Sequence, residues 1–189
     1  MNETLKLIER KGVRLFLITV AGDFAPILAS NLIDPISDED LAQKCGMRAA
    51  DARMVLNKMH NVGIIDYNRS KDKESGWYYY AWFLRADKLM EAYLGKRKND
   101  LEDIEERLEN NEAYTLYMCK KCDLTYDFDN AAELLYHCPI CENILDRSIT
   151  EDDFKKMRKI SISIRSEIED MNRDFKNVMY KKHVSTKVL

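Results

Sequence analysis

The sequence predicts an α+β protein dominated by helix, and three observations carry that prediction. Only 6 Gly and 3 Pro interrupt 189 residues that are 46% hydrophobic and 33% charged. Such a composition favours long helices with solvated faces and excludes both a disordered chain and a loop-rich all-β fold. After Gly63 the apolar spacing changes from three-and-four to two, so a hairpin follows a run of helices. Four of the 5 cysteines fall in two close pairs, a pattern of metal ligation.

Taken in order, Val13–Ala21 has helical spacing and Gly22 stops it. Asp23 is placed to cap a second helix running to Asp34, which Pro35 ends. Ser37-Asp38-Glu39-Asp40 resembles a capping box, with acidic groups at the favourable end of the helix dipole. The short helix that follows carries Leu41, Ala42 and Cys45 and stops at Gly46. The next helix, about 48 to 62, places Ala52, Val55, Leu56, Met59 and Val62 on one face. A strand at 64–67, a polar loop at 68–76 and a second strand at 77–84 then make a hairpin. Helices, a helix-turn-helix pair and a hairpin, in that order, predict an N-terminal winged helix-turn-helix domain over 1–85.

A long helical, coiled-coil-like linker follows over 86–112, with Met90, Leu94, Leu101, Ile104 and Leu108 as its seam and Arg97 as the break in it. A C-terminal long helix and tail over 149–189 carries a matching stripe of Phe154, Met157, Ile164, Ile168, Met171, Phe175 and Val178, with Ser161 as its polar gap. Thr150 and Asp153 offer it a capping box. The linker is net −4 and the C-terminal block net +3. The two helices are therefore expected to pack on each other, to close a dimer or to bind a partner, while two helices each docked on its own domain remain open.

Between them, over 113–148, Cys119, Cys122, Cys138 and Cys141 form C-x2-C-x15-C-x2-C. This is the spacing of a four-thiolate zinc ribbon, in which two knuckles present four sulfurs to one tetrahedral ion. One Zn(2+) per chain is expected. Iron takes the same four ligands in a rubredoxin-like site, and spacing alone does not separate the two. Four thiolates leave no open position, so the ion is structural, and the ribbon should not fold without it. A redox dithiol would need a βαβ context that the chain lacks.

The remaining chemistry is sparse. His137 beside Cys138 is a substitute ligand at most, His60 and His183 read as solvated, and Cys45 reads as a small core residue. There is no phosphate loop, nucleophile elbow or histidine-centred triad, so an enzyme is not expected. Glu3 and Glu9 deny the N-terminus the basic region of a signal peptide. Arg14, Asp23 and Pro26 interrupt the apolar stretch Val13–Leu32, so no membrane span is expected and the location should be cytoplasmic.

The hairpin is the second informative site, because both faces of 77–84 are apolar or aromatic. Trp77, Tyr79, Ala81 and Phe83 share one face, and Tyr78, Tyr80, Trp82 and Leu84 the other. One set belongs to the core, and the other is covered by the linker helix or kept for a partner. The presumed recognition helix offers Arg53, Lys58 and His60 against Asp51, a face weakly charged for binding a duplex through phosphates.

The segment Lys71-Asp72-Lys73-Glu74-Ser75-Gly76-Trp77-Tyr78-Tyr79-Tyr80-Ala81-Trp82, together with Tyr117-Met118-Cys119 through Cys141, resembles the archaeal transcription factor E family, the counterpart of the alpha subunit of eukaryotic TFIIE. The resemblance implies a basal initiation factor that binds the clamp and stalk of RNA polymerase and works beside TATA-binding protein and transcription factor B. It implies promotion of promoter opening near the non-template strand of the bubble, a nucleoid-associated location and, in some members, a beta subunit. Carried over, Trp77, Tyr78, Tyr79, Tyr80 and Trp82, with Lys71, Lys73, Arg53 and Lys58, would meet polymerase or DNA. The chain departs from family knuckles at Asp123 and Glu142, which stand where Gly is frequent, and at Lys120, which replaces Pro; the departure bears on the turns after the cysteines, because Gly tolerates positive φ more readily, and Asn143 is placed to take over that role in the second. The rival reading, from a different class, is a sequence-specific winged-helix repressor whose four cysteines sense metal or redox state.

Overall fold

A computed structural model describes residues 3–71, 73, 76–110, 115–149 and 151–186, with side chains for all of these except 3, 151 and 177–186. The Thr150 cap, the end of the linker at 111–112, Asp72, Glu74 and Ser75 of the hairpin, and the side chains of Val178 and His183 lie outside the described residues. The chain divides into two compact units, residues 1–96 with 172–189, and residues 97–171.

The first unit opens with α1 (Glu3–Ile8), α2 (Lys11–Ala21) and α3 (Ala25–Asn31). Gly22 at φ 93° closes α2, as its position predicts. Asp23 does not cap α3. Pro26 occupies the first turn, where its missing N–H is harmless, and the boundary falls at Phe24 with no side-chain cap. The helix also ends early, at Asn31, ahead of Pro35.

The short strand β1 (Ile36–Ser37) leads into α4 (Asp38–Cys45). Here the serine cap forms, but not the reciprocal half of a capping box: Ser37 Oγ accepts from the Asp40 backbone N–H at 3.1 Å, and the Asp40 carboxylate accepts from the Ser37 hydroxyl at 2.7 Å. Gly46 ends α4 in the left-handed conformation, and α5 (Ala49–Asn61) follows. The sheet is completed by β2 (Ile65–Lys71) and β3 (Tyr78–Leu84), in the order β1-β3-β2, all antiparallel.

Strand β2 runs four residues beyond the expected one, because Asn68, Arg69, Ser70 and Lys71 pair with Ala81, Tyr80, Tyr79 and Tyr78. A polar sequence can extend a strand when its partner supplies the β propensity. Ile8, Val13, Leu17, Leu28, Leu32, Leu41, Leu56, Met59, Ile64 and Ile65 fill the core. The Leu84 N–H to Leu32 carbonyl bond at 2.7 Å ties β3 to the helices.

The long helix α6 (Ala86–Glu109) buries Leu89, Met90, Tyr93 and Leu94 in this unit, with Tyr93 edge-on to Phe16 at 5.8 Å. No helix among the described residues is long and apolar enough to cross a membrane by itself. Cys45 is half-buried and its thiol is pushed up by burial, consistent with a small packing residue.

The second unit contains the rest of α6, a small sheet of β4 (Tyr117–Cys119), β5 (Leu124–Tyr126) and β6 (Asp146–Arg147), the helix α7 (Phe128–Glu133) and most of α8 (Glu151–Thr186). The sheet order is β5-β4-β6, again antiparallel. Arg97, the break in the apolar seam, bonds Asp100 of α6 at 3.0 Å and Glu167 of α8 at 2.9 Å, and Arg165 of α8 bonds Glu105. Phe154, Ile164, Ile168 and Met171 are buried with Ser161, whose hydroxyl donates to the Arg158 carbonyl at 2.9 Å. The two helices thus meet within one chain.

Candidate metal centre and hairpin surface

Each cysteine pair sits on a turn that folds for local reasons. Cys119 ends β4, and the chain reverses so that the Asp123 N–H returns to the Cys119 carbonyl at 2.8 Å. The Glu142 N–H makes the same bond to Cys138 at 2.9 Å. Both turns need a left-handed residue, and Asp123 at φ 53° and Glu142 at φ 58° supply it. Asn143 does not take over the second turn; its carbonyl instead accepts from the Cys138 N–H at 2.8 Å. Leu135 and Tyr136, after α7, are left-handed too. Asp127 caps α7 by accepting from the Asn130 N–H at 2.8 Å, which fixes the approach to the second pair.

These turns bring the four ligand sulfurs within 4.8 Å of one another, with Cys119 and Cys141 Sγ 3.4 Å apart. Four sulfurs arranged tetrahedrally at about 2.3 Å from zinc would stand about 3.8 Å apart, so the set fits such an ion. The Cys138 thiol is held down to about 6, chiefly by the backbone N–H of Ile140, with that of Cys141 helping against burial. Cys122 is pushed up to about 12 by its hydrogen bond with Cys141 and by burial. A group of sulfurs that shares protons in this way can exchange them for one cation. Tyr117, Tyr126 and Tyr136 pack against the cluster, which has only Cys119, Ala131, Cys138 and Leu145 at its centre. His137 is not among the grouped ligand atoms, and its Nδ1 lies 2.7 Å from the Leu135 carbonyl oxygen.

On the hairpin, exposure is divided along its length rather than between its faces. Trp77, Tyr78, Tyr79 and Tyr80 are exposed, at 73%, 47%, 57% and 38%, while Trp82 is buried at 8%. The physical reason is register. Trp82 lies opposite both Ile36 and Tyr67, hemmed between two strands, whereas Tyr78–Tyr80 extend past β1. Trp82 therefore packs against Tyr67 and His60, at 5.0 and 5.8 Å, and is no surface contact.

The helix face is also weaker than its composition suggests. Arg53 is bonded to Asp38 and Glu39, and Arg48 to Asp51. The Asp38 carboxyl stays below its ordinary range: burial raises it, but hydrogen bonds with Glu39 and Arg53 outweigh that. Lys58, Lys71 and Lys73 are exposed. Three residues went unnoticed in the sequence. Arg69 and Tyr67 fall on the extended part of β2 or beside it, and Asn57 stands one turn after Arg53 on α5. A helical wheel through Arg53 and His60 would have found Asn57.

Residues 16–113, just over half of the chain, match the family described as TFIIE alpha subunit. Among curated relatives, transcription factor E of Methanococcus vannielii is 26% identical over 141 residues, covering 75% of this chain and 81% of its own. That of Thermococcus kodakarensis is 31% identical over 133 residues, covering 68% of this chain and 72% of its own. That of Pyrococcus horikoshii is 34% identical over 126 residues, covering 64% and 65% respectively. These relatives are transcription factors rather than enzymes. The helices α3, α4 and α5, the hairpin and all of α6 lie inside the matched span, and the chain belongs to the TFIIE alpha subunit family, which acts in transcription initiation.

Proposed function

We propose that this chain is a basal initiation factor that binds RNA polymerase and favours the opened promoter, working with TATA-binding protein and transcription factor B. Residues 1–85 act as a winged helix, 86–112 as a helical linker, 113–148 as a zinc ribbon and 149–189 as a returning helix. Cys119, Cys122, Cys138 and Cys141 hold one zinc ion, whose contribution is to fix the ribbon's shape. The clamp and stalk of polymerase are the protein partners, promoter DNA near the bubble is the nucleic acid, and a beta subunit can join where one is present. Its place is then the cytoplasm, at the nucleoid.

The observation that carries this reading is the exposed run Trp77–Tyr80 on the tip of a hairpin whose neighbouring helix has its Arg53 neutralised by Asp38 and Glu39. An exposed aromatic tip suits a partner surface, since aromatic side chains dominate interface energetics. The same neutralisation disfavours a repressor that depends on phosphate contacts from that helix. The factor shifts promoter opening only by the difference in its affinity for the open and closed states.

Co-elution of the zinc-loaded protein with RNA polymerase, without DNA, tests the assignment. Co-elution is expected, and Trp77→Ala with Tyr79→Ala should abolish stimulation at weak promoters while leaving circular dichroism unchanged. A protein that stays apart from polymerase yet retards a duplex promoter fragment alone would overturn the reading in favour of the repressor.

A further inference from the structure

The β4–β5 pairing decides which side chains face the sulfurs. Cys119 lies opposite Leu124, and Tyr117 opposite Tyr126. Opposed residues share a face, as do residues two apart along a strand, so Tyr117, Leu124 and Tyr126 all stand on the face of Cys119. Of these, Tyr117 and Tyr126 pack directly against the cysteine cluster. Their hydroxyls differ. That of Tyr126 donates a hydrogen bond to Cys138 and lies in the field of Cys119 and Cys122 as well; burial first, and then these sulfurs, push its phenol up. The Tyr117 hydroxyl makes no hydrogen bond among the described residues.

Cys138 needs such a donor more than an exposed thiolate would. Four thiolates around a divalent ion hold an excess of negative charge, and Cys138 is only 1% exposed, so water does little to relieve it. The backbone N–H groups of Ile140 and Cys141 reach its sulfur from its own turn. Tyr126 reaches it from β5, the strand that follows the other cysteine pair. The hydroxyl therefore ties the strand after the first pair to a sulfur of the second.

We propose that Tyr126 is a positioning residue of the metal centre: its hydroxyl holds the Cys138 thiolate in place, draws charge from it, and so sets how firmly the ribbon keeps its ion. The inference rests on the reading above, that the four cysteines hold one zinc ion, and names a residue outside the ligand set that governs it. A hydrogen bond to a coordinating sulfur stabilises its lone pairs and fixes its direction, and partners of this kind are worth about 10–100-fold in metal affinity. The hydroxyl's bond and the ring's packing are separable, because phenylalanine keeps the ring.

The test uses the full chain loaded with zinc or with cobalt(II), and compares Tyr126→Phe with Tyr117→Phe. Both keep a ring against the cluster, and only the first removes a bond to sulfur. Tyr126→Phe should release zinc to a chromophoric chelator about tenfold faster or more. In the cobalt form its sulfur-to-metal charge-transfer band should move to longer wavelength, because the sulfur electrons are less firmly held. The ligand-field bands should keep their tetrahedral four-sulfur pattern. Tyr117→Phe should leave both release and band unmoved. In the cadmium-loaded wild type, the Tyr126 hydroxyl proton should be sheltered from exchange with water and visible by NMR, which tests the bond without any substitution.

A wild-type chain that takes up one ion, with release and band both unmoved by Tyr126→Phe, overturns this inference and leaves the metal reading standing. Faster release with an unmoved band reduces Tyr126 to packing and overturns it too. Where Tyr126→Phe fails to fold, a wild-type hydroxyl proton that exchanges freely does the same. A wild-type chain that takes up no ion removes the metal reading itself, and this inference with it.

Discussion

The helices and sheet of the first unit and the cysteine ribbon fix their geometry by opposite means. In the first, Ile8, Val13, Leu17, Leu28, Leu32, Leu41 and Leu56 are completely or almost completely buried, and apolar burial holds the backbone where local preferences already put it. In the ribbon only Ala131 and Leu145 join two cysteines at the centre. The backbone tells the same story. Every left-handed residue described in the first unit is a glycine, whereas the ribbon's four are Asp123, Leu135, Tyr136 and Glu142. One region is shaped by its core and the other by the convergence of its sulfurs, with strain left in the chain around them.

Removing the metal should therefore break the comparison most visibly. Binding of a structural zinc ion is worth about 10–16 kcal/mol in small zinc modules, and there it is folding free energy. A strong chelator, or Cys138→Ser, should abolish amide protection over 115–149 while residues 13–65 keep theirs, as hydrogen exchange would report. Loss of protection in both regions together would show that the first unit leans on the ribbon.

The converse change is Leu28→Ala. Leu28 has no solvent exposure, and its truncation should cost about 2–5 kcal/mol in the first unit. Thermal unfolding of that unit should shift down while metal content stays at one ion per chain. A drop in bound metal would mean the two regions are coupled. Ser37→Ala acts on the same unit through a single cap, and about 1 kcal/mol is expected, read as a smaller shift of the same transition.

What was legible in the sequence follows the same division. The caps and stops of the first unit were readable at Ser37, Gly22, Gly46 and Gly63, because each is a local rule with a local cause. The cysteine spacing was readable because ligand convergence demands it. Asp23 misled, since Pro26 moved the helix start, a competition between two local signals that position alone does not rank. Trp82 misled for a different reason. Alternation says which residues share a face, but only the pairing with Ile36 on β1, a two-residue strand with no period to read, shows which part of the hairpin is covered. Asn57 and Arg69 became visible once β2 was seen to continue through polar residues and to face α5.

The smallest expected effect has the opposite sign and sharpens the comparison best. Asp123 and Glu142 hold a conformation that costs a residue with a Cβ about 1–2 kcal/mol. Glycine relieves that strain but loses about 0.5–1 kcal/mol more chain entropy on folding. The balance for Asp123→Gly or Glu142→Gly is a gain of up to about 1 kcal/mol in the metal-loaded ribbon. It should appear as slower release of metal to a chelator, up to about fivefold for each change, with the thermal transition of the first unit unmoved. Asp123 and Glu142 each return an N–H to the carbonyl four residues earlier, and glycine keeps that bond, so the turn itself is preserved. Faster release would mean that these side chains support the sulfur cage despite their backbone. The strain would then belong to the site's function rather than being tolerated by it.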